Sequence, residues 1–305
     1  MKLGLLLNQE EQPGIGPPRW SDLRSVAEAA EQAGFDSLWL VDHFLWRSDP
    51  WRRPEVDSEL GVLECWTTVA AVAAVTTRVQ LGTLVTCAAY RHPALLAKMA
   101  DNVEEISHGR LVLGLGAGDY EPEHQMLGQS FERRVDRFEE ALQIIVPLLR
   151  TGSVDFEGEF YRARDFRLRP RGPRLGGPPI LIGALAHRPR MLRLVARYAD
   201  MWNIWAGGKY AAEEIAAIRA AVDAACRRHG RDPSTLRRTA MVAIAFEGDP
   251  MFRRHGVITG DSDEITTALN RFGRQGIDEI QIGLFPTTPE TVTGLAPVIA
   301  RVQNG

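Results

Sequence analysis

The chain has 305 residues, 45% hydrophobic and 25% charged, the make-up of an ordinary globular protein large enough to bury a full core. A formal net charge of -3 argues against DNA or RNA as a partner, because a polyanion is met by basic surface. The three cysteines, Cys65, Cys87 and Cys226, lie far apart, form no C-x-x-C pair for zinc or disulfide exchange, and fit a reducing cytoplasm.

The chain opens on LGLLL, Leu3 to Leu7, a short apolar run that reads as a buried strand and not as a signal peptide. No later stretch approaches the roughly 20 apolar residues of a membrane span. A helix from Leu23 to Ala33 is followed by the strand SLWLV (Ser37 to Val41), a helix Cys65 to Thr76, the strand VQLGTLV (Val79 to Val85), a helix Pro93 to Ile106 and the strand RLVLGLG (Arg110 to Gly116). After a polar stretch come a helix Arg134 to Leu149, the strand PILIG (Pro179 to Gly183), a helix Pro189 to Tyr198 and the strand MWNIW (Met201 to Trp205). The last third adds a helix Ala211 to His229, the strand RTAMVAIAF (Arg238 to Phe246), a helix Asp263 to Gly273, the strand EIQIGLF (Glu279 to Phe285) and a helix Pro289 to Val302.

Eight strands alternate with eight helices, and the strands are continuous apolar runs, as required when both faces are covered. The expected fold is an α/β (β/α)8 TIM barrel, taken as one domain over residues 1–305. Gly34 and Gly276 sit just past helices, where a positive φ is wanted. The segment Thr151 to Pro178, containing FEGEFYRARDFRLRP, reads as a hairpin inserted between the fourth and fifth units. A second long loop, Phe44 to Gly61, follows the second strand, where barrel loops shape active sites. Alanine-rich stretches at Val69 to Ala74 and Ala211 to Ala225 permit close helix packing and a homodimer.

Reactive groups in such a barrel belong on the loops that follow strands. Asp42 and His43 end the second strand, and a His beside a carboxylate exchanges protons near neutral pH, although hydrogen bonding to a loop explains it equally. The fourth strand runs into Gly114, Gly116 and Gly118 and then Asp119, Tyr120, Glu121 and Glu123. That is a backbone able to approach a ligand closely, followed by acids, or simply a tight turn. It is not a dinucleotide fingerprint, since Asp119 stands where G-x-G-x-x-G needs glycine. Cys87 has no base beside it in sequence and reads as a small buried hydrophobe. Arg91 starts a helix. Trp46, Trp51, Trp202 and Trp205 offer aromatic surface for a substrate or a ring cofactor. The arginines from Arg162 to Arg174 suit an anionic tail less well than a solvated hairpin face.

Taken together, LWLVDHF, LGTLVTCAAYRHPALLAKMA, SHGRLVLGLGAGDYEPEHQMLG and ILIGALAHRPRMLRLVARYADMWN resemble the luciferase-like monooxygenase family over nearly the whole chain. The resemblance implies a TIM barrel with an insertion, a flavin-type coenzyme at its mouth, and redox chemistry on that ring. One branch of the family uses coenzyme F420 for hydride transfer and another uses FMN with O2. Asp42-His43-Phe44 resembles the F420 branch, because the oxygenating branch more often has a second histidine where Phe44 stands.

The resemblance therefore implies an F420-dependent oxidoreductase acting on a small organic substrate, with an FMN-dependent monooxygenase as the alternative. It casts His43 as the acid or base, with Asp119 as a second catalytic candidate, shorter than the Glu that sugar-phosphate or simple-alcohol dehydrogenases of this kind carry there. It assigns Asp42, Leu84, Val85, Thr86, Ala117, Gly118, Gly183 and Ala184 to the coenzyme, with a non-prolyl cis peptide at Leu84-Val85, and leaves Trp46, Trp202 and Trp205 for the substrate pocket. A barrel that binds without turnover is opposed by the presence of both Asp42 and His43. A hydrolase would have to use Asp119, Glu121 and Glu123, with only His124 nearby as a metal ligand. No metal site is expected.

Overall fold

The apolar runs form strands because their branched and aromatic side chains pack on both faces of a covered sheet. In the computed structural model, which describes residues 1–11, 16–46, 59–185, 187–207, 211–249 and 256–304, they are β1 (Lys2–Leu6), β2 (Ser37–Leu40), β3 (Gln80–Thr83), β4 (Leu111–Gly116), β5 (Ile180–Gly183), β6 (Met201–Trp205), β7 (Arg237–Ala245) and β8 (Glu279–Phe285). Each pairs in parallel with the next, and β8 pairs with β1. The sheet is thus a closed eight-stranded barrel, as the alternation predicts.

Around it run α1 (Trp20–Ala33), α2 (Cys65–Val75), α3 (Pro93–Ile106), α4 (Glu121–Met126), α5 (Arg134–Thr151), α6 (Pro189–Tyr198), α7 (Ile215–Arg228), α8 (Ser262–Arg274), α9 (Pro289–Gly294) and α10 (Ala296–Asn304). Gly34 closes α1 at φ 100°, and Gly276 takes φ 81° before β8. The last predicted helix is two, α9 and α10, and the sixth, which is α7, is preceded by a 3-10 turn at Ala212–Glu214. The short α4 lies in the polar stretch after β4 and falls below the length at which periodicity is visible. Among the described residues no helix is long and apolar enough to cross a membrane.

Within the insertion, Ser153–Glu157 and Arg162–Arg167 form an antiparallel hairpin. Its arginines are engaged within the chain: Arg162 and Arg164 pair with Glu157, and Arg167 with Asp165. Farther on, Arg174 pairs with the buried Glu104 at 2.6 Å.

The lower barrel interior is filled by Trp39, Val112, Leu181 and Met201. Polar residues there bond one another. Trp39 Nε1 donates to Ser37 Oγ, which donates to Glu279, and Asn203 Nδ2 donates to Thr239 and Gln281. This packed floor leaves the C-terminal ends of the strands as the place for a ligand.

Candidate active site

Beyond β3 the chain departs from the straight strand that its apolar run predicts. The Leu84-Val85 peptide is cis, as the resemblance implies. Leu84 N–H still donates to the carbonyl of Leu40 in β2 at 2.7 Å, and Thr86–Cys87 rejoin the sheet against Leu115–Gly116. The turn needs bare backbone opposite it. A Cβ on Gly114 would stand 1.8 Å from the Thr83 carbonyl oxygen, and one on Gly116 would stand 2.7 Å from Val85 Cγ2. These two glycines therefore make room for the protein's own chain. At Gly183 a Cβ would meet only Val85, at 3.7 Å, so Val85 spans the ends of β4 and β5 like a ledge. The Thr86 hydroxyl is buried there with no hydrogen-bond partner among the described residues, and Ala117 follows β4 partly exposed.

Asp42 and His43 follow β2 as neighbours and diverge. The Asp42 side chain is fully buried. Its Oδ2 accepts from Arg91 Nη1 at 2.6 Å and from Cys87 N–H at 3.1 Å, and its Oδ1 accepts from Arg91 Nη2 at 2.9 Å. Arg91 also reaches Glu64 Oε1 at 2.7 Å, and Glu64 in turn caps α2. Burial raises the Asp42 carboxyl, and the Arg91 guanidinium pulls against that rise. Both oxygens of Asp42, expected to touch the ring, are engaged by the Cys87–Arg91 loop, which they pin.

His43 remains partly exposed, with Nδ1 2.8 Å from Glu123 Oε2. Glu123, from α4, is fully buried. Its Oε1 accepts from Phe44 N–H at 2.5 Å and Leu45 N–H at 3.1 Å, and its Oε2 accepts from the Tyr90 hydroxyl at 2.7 Å. Burial pushes this carboxyl up, but the bonds from His43, Phe44 and Tyr90 outweigh it and hold Glu123 below the ordinary glutamate range. By sequence, Glu123 groups with Asp119 and Glu121 as one acid cluster. The structure separates them, because Asp119 is exposed at the end of the β4 loop while Glu123 is committed to His43. Among the described residues no group of three or more His, Cys, Asp and Glu is arranged to hold a metal ion.

Behind the loop, Cys87 Sγ lies 3.8 Å from His124 Nε2. Burial pushes the thiol up to about 12, which keeps it protonated and unreactive. Burial and then the cations Arg137 and Arg134 push His124 down, so it is neutral. Gly118, at φ 81°, passes so close that a Cβ would meet His124 at 2.4 Å and Cys87 at 2.7 Å.

The tryptophans separate by strand parity. Met201 and Asn203 face the barrel interior, so Trp205 faces the same way at the open end, where it is 38% exposed. Trp202 points the other way, is fully buried in the layer beneath the helices, and donates Nε1–H to the Ala184 carbonyl at 2.8 Å. Its assignment to the substrate pocket is corrected to support for the β5 end, where Ala184 N–H bonds Asn203 O. Trp51 and the side chain of Trp46 lie outside the described residues.

The profile of the luciferase-like monooxygenase family matches residues 1–253. An F420-dependent hydroxymycolic acid dehydrogenase of Mycobacterium tuberculosis is 33% identical over 252 residues, 81% of this chain and 63% of that protein's length. An F420-dependent glucose-6-phosphate dehydrogenase of Kineococcus radiotolerans is 31% identical over 258 residues, 82% of this chain and 69% of the relative. In fold, the chain superposes on a solved F420-dependent secondary alcohol dehydrogenase with a TM-score of 0.82 at 20% identity, covering 99% of this chain and 98% of the other. With the family profile running over most of its length, the chain belongs to the luciferase-like monooxygenase family.

Proposed function

We propose that the protein is a coenzyme F420-dependent oxidoreductase that moves a hydride between the deazaflavin and a small organic substrate. The observation that carries the proposal is the pairing of a histidine held by a buried acid just past β2 with the Val85 ledge in the turn that follows the adjacent strand, β3. The F420 dependence of both relatives named above supports the choice of coenzyme. The site's chemistry suits a planar ring: an apolar ledge at Val85, backbone edges at Ala117, Gly118, Gly183 and Ala184, and a buried Thr86 hydroxyl lacking a partner among the described residues.

Leu84, Val85 and Thr86 would support the ring from the turn after β3, and Ala117, Gly118, Gly183 and Ala184 would border it from the ends of β4 and β5. When bound, the deazaflavin supplies the hydride chemistry. His43 takes or gives the proton that accompanies each hydride on the substrate side, and Trp205 walls the opening against water. Asp42 acts at one remove, fixing through Cys87 N–H and Arg91 the loop that continues from the ledge. Asp119 is near enough in sequence to share in substrate binding, and its exposure suits that role better than proton transfer from a closed site. A homodimer, a cytoplasmic setting and the absence of a nucleic-acid partner complete the proposal.

The test is a titration of the purified protein with oxidised F420 and, separately, with FMN, read by quenching of tryptophan emission, to which Trp205 at the opening contributes. Saturable F420 binding with weak FMN binding is expected. The reverse preference assigns the chain to oxygen-using flavin chemistry, and saturation by neither overturns the coenzyme assignment.

A further inference from the structure

The geometry points to Glu123 as the residue that decides which nitrogen of His43 carries the proton, a positioning role that deepens the function proposed above and rests on it. A neutral imidazole holds one proton, on Nδ1 or Nε2, and the other nitrogen is the basic one. An ionised carboxylate only accepts hydrogen bonds. With Glu123 Oε2 2.8 Å from Nδ1, the neutral ring is therefore the Nδ1–H form, and Nε2 becomes the nitrogen that exchanges protons with the substrate.

The surroundings of Glu123 enforce its own ionisation and orientation. Phe44 N–H and Leu45 N–H donate to one oxygen, and Tyr90 donates to the oxygen that His43 meets. The Tyr90 phenol is pushed far above its ordinary range, by burial first and then by neighbouring Cys87 and Glu123, so it stays a donor. Tyr120 approaches the His43 ring edge-on with centroids 6.4 Å apart, and Asp42, the preceding residue, is already neutralised by Arg91. A second consequence is that an imidazolium formed on Nε2 protonation is paired at once with Glu123. The same contact thus sets the ring form before the reaction and stabilises the charge formed during it.

The decisive measurement is the ring nitrogen spectrum of His43, by long-range 1H–15N correlation on histidine-labelled protein without coenzyme, recorded on the neutral ring at alkaline pH. Nδ1 is expected to show the protonated-nitrogen shift and Nε2 the bare one. Glu123→Gln keeps the shape but turns an NH2 group toward Nδ1, so the two shifts should exchange. With F420 and substrate, kcat/KM should then fall roughly 10²–10⁴-fold while coenzyme affinity holds. Tyr90→Phe, which leaves the carboxylate in place, should keep the Nδ1–H pattern.

Nε2 protonated in the unaltered protein overturns the inference whatever the variants do, as does an unchanged His43 spectrum in a folded Glu123→Gln protein. Since the spectrum is taken without coenzyme, a protein that fails to bind F420 sinks the functional proposal and leaves this result standing.

Discussion

Removing the Arg91 side chain tests the idea that the loop bearing the ledge is held by a buried charge pair. Arg91→Met leaves Asp42, whose side chain is 0% exposed, without its bidentate partner, whereas Glu64, at 36%, is compensated by water. Breaking a buried pair from one side costs about 3–5 kcal/mol, a large share of the roughly 5–15 kcal/mol that holds most proteins folded. In the variant, burial unopposed by Arg91 keeps the folded Asp42 carboxyl above its unfolded value. The folded state then binds the extra proton, and the penalty grows as pH rises from the acid range toward neutrality. Urea unfolding followed by circular dichroism should therefore show a larger drop in midpoint at about pH 8 than at about pH 5. Asp42→Asn combined with Arg91→Met should recover at least ~2 kcal/mol, because the stranded charge is gone. A loss below ~1 kcal/mol for the single variant, or a double variant no more stable than the single, would refute this account of the loop.

Other perturbations separate folding from chemistry. His43→Ala should lower kcat/KM about 10²–10⁴-fold with F420 affinity retained, measured by steady-state kinetics beside the fluorescence titration; full activity would remove His43 from the reaction. Gly114→Ala forces a Cβ to within 1.8 Å of the Thr83 carbonyl and should destabilise the barrel by ~1–3 kcal/mol or more. Gly183→Ala meets Val85 only at 3.7 Å and should melt like the parent while binding F420 more weakly. All three cysteines are buried and free, and the Cys87 thiol sits at about 12, so a thiol reagent should label none until denaturant is added; rapid labelling of the native protein contradicts the burial. The Glu123 carboxyl is held below its unfolded value, so its contribution is complete at neutral pH and lost as pH falls through the folded value. Glu123→Gln should accordingly flatten the acid limb of the pH–stability curve.

The barrel is legible in the sequence because a buried parallel strand and its covering helix leave unmistakable periods, and the runs from LGLLL to EIQIGLF carry them without interruption. The same continuity hides which way each side chain points. In MWNIW every position is apolar or amide, yet Met201 and Asn203 face the interior while Trp202, between them, supports Ala184 from behind. The period of two carries parity along β6, and it alone places Trp205 and Trp202 on opposite faces of the strand. The cis turn at Leu84-Val85 is legible only through resemblance, since nothing in VQLGTLV distinguishes it from a straight strand.

Asp42 and His43 show the deeper limit. Side by side in sequence just past the end of β2, the acid and the base take their partners from different elements. Those partners lie 49 residues away for Asp42, in Arg91, and 80 residues away for His43, in Glu123. Only the closed barrel brings them together. Arg91 and Tyr90 are consecutive, and each serves a different acid: Arg91 bonds Asp42, and Tyr90 bonds Glu123. The loop after β3 is therefore the common support of both networks, joining the wall behind the ledge to the orientation of the base in front of it. A disturbance of that loop should be felt first as misplacement of His43 and the ledge together, before the barrel beneath them yields.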